Sequence, residues 1–317
     1  MAEPQFDRAL ALVYDPVALN RNSTRNVLHS IGFREIQTVT SVEEIGAFLR
    51  HNDPDLLVCE ITEPAGEVLA LLQRIRRGET GRNPFLVIMA TAWVTAENVV
   101  RQILNAGADD LMMRPFSIRQ FIDRLTAHVT NRKGFVVTAD YIGPDRRLRA
   151  DRDPTASLIN VPNSLRMKTQ SDTTADMAAA QASAEIERVR FEVSFERMKR
   201  EAFQLGILAS FLEQGVASGD DPELIRADTL KALRLATELA RKAAEGSHEA
   251  IADLCKALER VLVGLRDNID PPKNAKLAGQ IALAMQATLS PDRDESAHAA
   301  EISSAIAKIK ANGRATA

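Results

Sequence analysis

A chain of 317 residues is long enough for two domains. With 45% hydrophobic and 26% charged residues it has an ordinary globular composition, and a net charge of −3 gives no support to wholesale nucleic-acid binding or an acidic tail. Its two cysteines, Cys59 and Cys255, imply no disulfide framework and fit a reducing compartment, so a cytoplasmic location is expected. Residues 1–10 carry Glu3, Asp7 and Arg8 without a long apolar run, so no signal peptide is expected, and no stretch approaches the ~18 apolar residues of a membrane span.

The first part of the chain alternates strand and helix signals. The apolar run 9–14 ends at Asp15-Pro16 and reads as a strand, and a helix over 17–30 stops at Gly32. A second strand over 33–39 precedes Ser41, an N-cap with Glu44 three residues later, the pattern of a capping box. The third strand is 56–59, followed by a helix over 68–77 with Leu71, Leu72 and Ile75 on one face. A fourth strand over 85–90, a helix over 95–106 stopped by Gly107, a short strand over 111–113 and a helix capped by Ser117 and running to 130 complete the alternation. Five such units predict an α/β, flavodoxin-like fold, a five-stranded parallel sheet with helices on both faces, over residues 1–133.

Residues 134–173 lose the pattern. Pro144, Pro154 and Pro162 recur among polar residues, and Arg146-Arg147-Leu148-Arg149 is basic, so the segment is expected to be a partly extended linker. Residues 174–317 are expected to form an all-α bundle. A long helix over 176–213 ends at Gly215 and Gly219, and a second starts at Pro222 and runs to 244. A third, capped by Ser247, reaches 265; Pro271 and Pro272 break the chain, and helices over 276–288 and 296–311 follow. Every aromatic lies at or before Phe211, which also separates two architectures.

Glu60 ends the third strand on the sheet edge where ligands gather in open α/β folds. The other histidines and cysteines give no metal spacing, no Gly-rich phosphate loop occurs, and no Ser-His-Asp order suggests a catalytic site, so no catalytic residue is expected. Asp109 and Asp110 read as a solvated turn, Cys59 as buried packing.

Asp15 after the first strand, Glu60 ending the third and Pro64 four residues on stand in the order of a known family. So do 87–92 with Thr91, the Gly107-Ala108-Asp109-Asp110 turn and Arg114-Pro115-Phe116. Over about residues 7–130 the chain resembles the receiver domain of bacterial response regulators. The stretch 141–147 is similar to one that follows receivers in some alphaproteobacterial regulators. The resemblance implies a phospho-acceptor aspartate, two carboxylates holding Mg²⁺, a lysine, a switch threonine and a switch aromatic. Here Tyr14 stands at the first acidic position beside Asp15, Glu60 at the acceptor, Arg114 at the lysine and Leu111 at the aromatic; Thr91 and Asp15 match.

A guanidinium fork matches a carboxylate bidentately, so a fixed Glu60–Arg114 pair is expected in place of a switchable site. The resulting expectation is a bacterial signalling protein with a phosphorylation-independent receiver, not an enzyme, acting by protein–protein contact. It needs no cofactor; were Mg²⁺ to bind, Asp15 and Glu60 would be its ligands. The expected partners are a histidine kinase or another regulator and a second copy of the chain, with neither membrane nor nucleic acid. The alternatives are a phosphorylatable response regulator with a helical output domain and a DNA-binding regulator.

Overall fold

The computed structural model describes residues 4–62, 65–93, 96–146, 158–170, 174–292 and 295–314. Pro64, the Arg147-Leu148-Arg149 part of the basic segment and Pro154 therefore lie outside the described residues. The chain divides into two compact units, Met1–Val193 and Ser194–Ala317.

The first unit is built on five parallel strands, β1 (Leu10–Tyr14), β2 (Glu35–Val39), β3 (Leu56–Glu60), β4 (Val87–Ala92) and β5 (Asp110–Met113), in the order β2-β1-β3-β4-β5. Every residue of β3 and β4 is buried, as unbroken apolar runs demand of central strands covered on both faces. Alternate side chains feed two cores. Leu12, Tyr14, Leu57 and Cys59 face α2 (Val42–His51), α3 (Gly66–Arg76) and α4 (Glu97–Asn105). Ala11, Val13, Leu56 and Val58 face α1 (Ala18–Ser30) and α5 (Ile118–Thr130).

Caps fix where these helices start. Ser117 and Gln120 close a full capping box on α5. At α2, Ser41 accepts from Glu44 N at 3.2 Å, but the Glu44 carboxylate reaches back to Thr40 N at 2.8 Å, one residue short of the expected box. The parallel α/β fold class expected for this part is the one observed.

The expected linker over 134–173 is structured wherever it is described. β6 (Phe135–Val137), β7 (Ile142–Pro144) and β8 (Leu158–Ile159) form an antiparallel sheet in the order β7-β6-β8, and α6 (Ser164–Gln170) follows. Its prolines and polar residues hide three-residue apolar runs, too short to stand out by periodicity. Phe135 is fully buried and meets Phe85 edge-on at 6.0 Å. Lys168 on α6 donates to the buried Asp55 at 2.8 Å. The first half of α7 (Ala175–Ser218) adds Ile186, Val189 and Val193 to the same core.

The second unit is helical: the end of α7, α8 (Pro222–Glu245), α9 (Glu249–Arg266), α10 (Pro271–Leu289) and α11 (Glu295–Arg314). Its core is aliphatic and alanine-rich, with Leu205, Leu212, Ala236, Leu239, Leu258, Leu262 and Met285 buried. Three local expectations change. Helix α7 passes through Gly215 and ends at Gly219, whose φ of 69° suits a glycine stop. Ser247 does not cap α9; it sits at φ 58° and His248 occupies the cap position. Pro271 and Pro272 start α10 instead of breaking the chain, because the first turn needs no backbone donor there. Among the described residues no helix is long and apolar enough to cross a membrane.

Candidate functional site

The sheet order reverses direction of travel between β1 and β3, and the carboxyl ends of the strands beside that point carry the polar residues. Asp15 follows β1, Glu60 ends β3, Thr91 pairs in register with Glu60 on β4, and Arg114 follows β5. The structure brings these four together. Asp15, Glu60 and Thr91 are at most 1% exposed.

Glu60 Oε2 accepts from Thr91 Oγ1 at 2.5 Å and from Arg114 Nε at 2.7 Å. Arg114 does not grip Glu60 with two nitrogens, as the fork geometry led us to expect. Its Nη2 turns away to donate to Thr24 Oγ1 on α1 at 2.9 Å and lies 3.4 Å from Asp15 Oδ2. The guanidinium also lies 4.9 Å from the centre of the Phe116 ring. Glu60 Oε1 is buried and meets no donor among the described residues. Asp15 Oδ1 accepts from Val17 N at 2.8 Å.

Burial pushes the carboxyl pKa of Glu60 up, against the hydrogen bonds from Thr91 and Arg114. Burial likewise raises Asp15, opposed by the Val17 amide and the charge of Arg114.

Tyr14 and Leu111 are not in this cluster of polar contacts. Tyr14 packs in the α2–α3 core, where burial raises its phenol pKa, and the half-buried Leu111 packs against the same core. Trp93, two residues beyond Thr91, is 51% exposed. Both cysteines are buried, and burial pushes the Cys255 thiol up to about 12.

This arrangement does not fit Mg²⁺. The ion takes six oxygens in near-ideal octahedral geometry. Here a guanidinium faces both carboxylates, Asp15 Oδ1 is committed to a backbone amide, and Tyr14 packs where a second acid would have to stand. Among the described residues no group of three His, Cys, Asp or Glu side chains could hold a metal.

Two features escaped the sequence reading. Thr24 shares a buried helix face with Val27 and Leu28, the i, i+3, i+4 spacing that marked it as inward-facing. Asp109 is no solvated turn. It is 7% exposed and is shared by two arginines, Arg76 Nη2 to Oδ2 at 2.6 Å and Arg132 Nε to Oδ1 at 2.8 Å. It also accepts from Ile88 N at 2.9 Å. Burial alone would raise its pKa, but Arg132 and Arg76 outweigh that and hold it at about 2. Both guanidinium groups sit 5.1 Å from the centre of the Phe135 ring. The signal was Arg76 itself, in line with Leu72 on the apolar face of α3.

Residues 11–126 match the response regulator receiver domain. The phosphate regulon transcriptional regulatory protein PhoB of Rhizobium meliloti (strain 1021) is 34% identical over 130 residues, 41% of this chain and 55% of that protein. The transcriptional regulatory protein TrcR of Mycobacterium tuberculosis is 32% identical over 117 residues, 36% of this chain and 42% of that protein. The chain thus spans about half the length of these relatives. Among solved structures, a two-component response regulator from Clostridium difficile aligns with TM-score 0.35 and 20% identity over 39% of this chain and 97% of that one. The Vibrio cholerae chemotaxis protein CheY4 aligns with TM-score 0.34 and 18% identity, over 37% and 96%. The similarity to response regulator receiver domains is confined to this first part of the chain, residues 11–126.

Proposed function

We propose that this receiver works without phosphorylation, as a signalling module that acts by protein–protein contact and not by catalysis. One observation carries the reading: the oxygen of Glu60 nearest Arg114 is already held by both Thr91 and Arg114, and Arg114 is tied in turn to Thr24 on α1. A threonine and a basic residue are the groups that would otherwise meet a phosphoryl group, so a built-in carboxylate has taken their hydrogen bonds. A glutamate carboxylate is also displaced by about one bond from the position an aspartate would offer, and in-line attack is sensitive to shifts of that size. The donor set leaves no place for Mg²⁺ to offset charge.

On this reading the chain needs no cofactor. Its partners are other signalling proteins, a histidine kinase or a regulator, or a second copy of the chain. It works in the bacterial cytoplasm.

The test is incubation of the full chain with acetyl phosphate and Mg²⁺, followed by intact-mass measurement. No added phosphoryl mass supports the proposal. An acyl phosphate adduct, cleaved by hydroxylamine and absent in Glu60→Gln, overturns it and returns the chain to the phosphorylatable class.

A further inference from the structure

We propose that the first unit holds a second, unrelated site: a pocket for a small soluble phosphate monoester at the opposite end of β5 from Arg114. The pocket has a volume of about 250 Å³ and lies between the end of α5, the start of β6 and the turn before α6. Arg132, Lys133 and Arg166 supply its cations, and Asn131 and Asn160 supply amide groups; among the described residues no carboxylate lines it.

Its charge balance favours an anion. Beneath the pocket Arg76 and Arg132 share a single acid, Asp109, so this buried trio keeps one positive charge. Arg132 is fixed by that pair and by Phe85 O and Leu86 O, so its charge is held in place without freedom to swing away. At the rim, Lys133 and Arg166 are exposed and form no ion pair with the described residues. One negative element is present, the C-terminal end of α5, whose carbonyls would repel an anion. Two of them are already occupied: Ala127 O accepts from Asn131 N at 2.9 Å, and His128 O from Asn163 Nδ2 at 2.7 Å. Asp55, Asp110 and Asp145 lie on the surrounding elements, and none of them lines the pocket.

A doubly charged, compact group with several acceptor oxygens matches two rim cations and a buried excess charge better than a single carboxylate does. The volume admits a phosphate with a small body attached, not a polymer. This inference does not rest on the reading of Glu60.

The experiment is isothermal titration of the full chain, in chloride buffer, with inorganic phosphate and with ribose 5-phosphate. The variants are Lys133→Gln, Arg166→Gln and the pair together. Both positions are exposed, so the thermal midpoint serves as the check that the fold is kept. Saturable binding of ribose 5-phosphate, weakened about tenfold by each substitution and lost in the pair, is the expected result, since a hydrogen bond to a charged group contributes about that much. No binding up to about 10 mM, or unchanged affinity in the double variant, overturns it. So does binding to vesicles of anionic phospholipid without any binding of the soluble esters.

Discussion

Arg114 Nε lies 2.7 Å from Glu60 Oε2, while the other Glu60 oxygen, Oε1, is buried and meets no donor among the described residues. The pair is therefore one-sided. Arg114 turns its Nη2 to Thr24 and Asp15, and so fastens the end of β5 to α1 and to the end of β1 as well as to β3. A lysine, with a single nitrogen, could not span those three elements at once.

Removing the arginine leaves Glu60 and Asp15 as buried acids without their cation. Arg114→Met is expected to lower stability by about 3–5 kcal/mol, the usual cost of stranding one partner of a buried pair. Glu60→Met combined with Arg114→Met is expected to recover a large part of that loss. Urea unfolding of the two variants checks this; equal loss in both would show that the pair is not the unit that matters.

Thr24→Val keeps the shape of the side chain and removes the acceptor of Arg114 Nη2. A loss of about 1–2 kcal/mol is expected, because a buried charged donor loses its short bond and retains only longer contacts, 3.4 Å to Asp15 and 3.5 Å to Thr91. The same substitution at the exposed Thr288 on α10 provides a comparison, with an expected effect near zero.

Two buried acids respond to pH in opposite directions. Asp109 has its folded pKa at about 2, below its ordinary 3.8, so the stability it contributes is present above pH 3.8 and is lost as pH falls through 2. By linkage that amounts to about 2 kcal/mol. Glu60 is raised above its ordinary 4.5 by burial, so its ionisation takes stability away as pH rises from 4.5 through the folded value. Unfolding free energy measured from pH 2 to 7 should lose its acid limb in Asp109→Asn. In Glu60→Gln the decline above pH 4.5 should be absent.

The segment after α5 belongs to the core of the first unit. A fragment ending at residue 133 lacks Phe135, against which both buried arginines and Phe85 pack, and lacks Lys168, which holds Asp55. It is expected to be less stable than residues 1–193 by at least about 3–5 kcal/mol, the cost of losing one large buried aromatic. Side-by-side chemical denaturation measures the difference, and similar midpoints would contradict it.

The parallel sheet was legible because its signals are long and repeated: five apolar runs, each followed by a helical period, with Glu60, Thr91 and Arg114 falling at strand ends. What was not legible depends on contacts between distant elements. Phe135-Val136-Val137 is too short to read as a strand until it meets Phe85 and β8. Asp109 looks like a turn residue until Arg76 and Arg132, 33 and 23 positions away, are seen to share it. The direction of Arg114 Nη2 toward Thr24 follows from the packing of α1 and has no local signal at Arg114. The start of α10 at Pro271 was legible in principle, since proline is tolerated at a helix start as readily as it breaks one.

The most direct measurement uses Trp93, the only tryptophan, exposed two residues beyond Thr91. Its fluorescence is titrated with Mg²⁺ and then with beryllofluoride, in the unmodified chain and in Glu60→Asp with Arg114→Lys. A phosphorylation-independent receiver predicts no saturable change in the unmodified chain and leaves any response to the double variant alone. A saturable response in the unmodified chain, with Glu60 and Arg114 in place, contradicts the account.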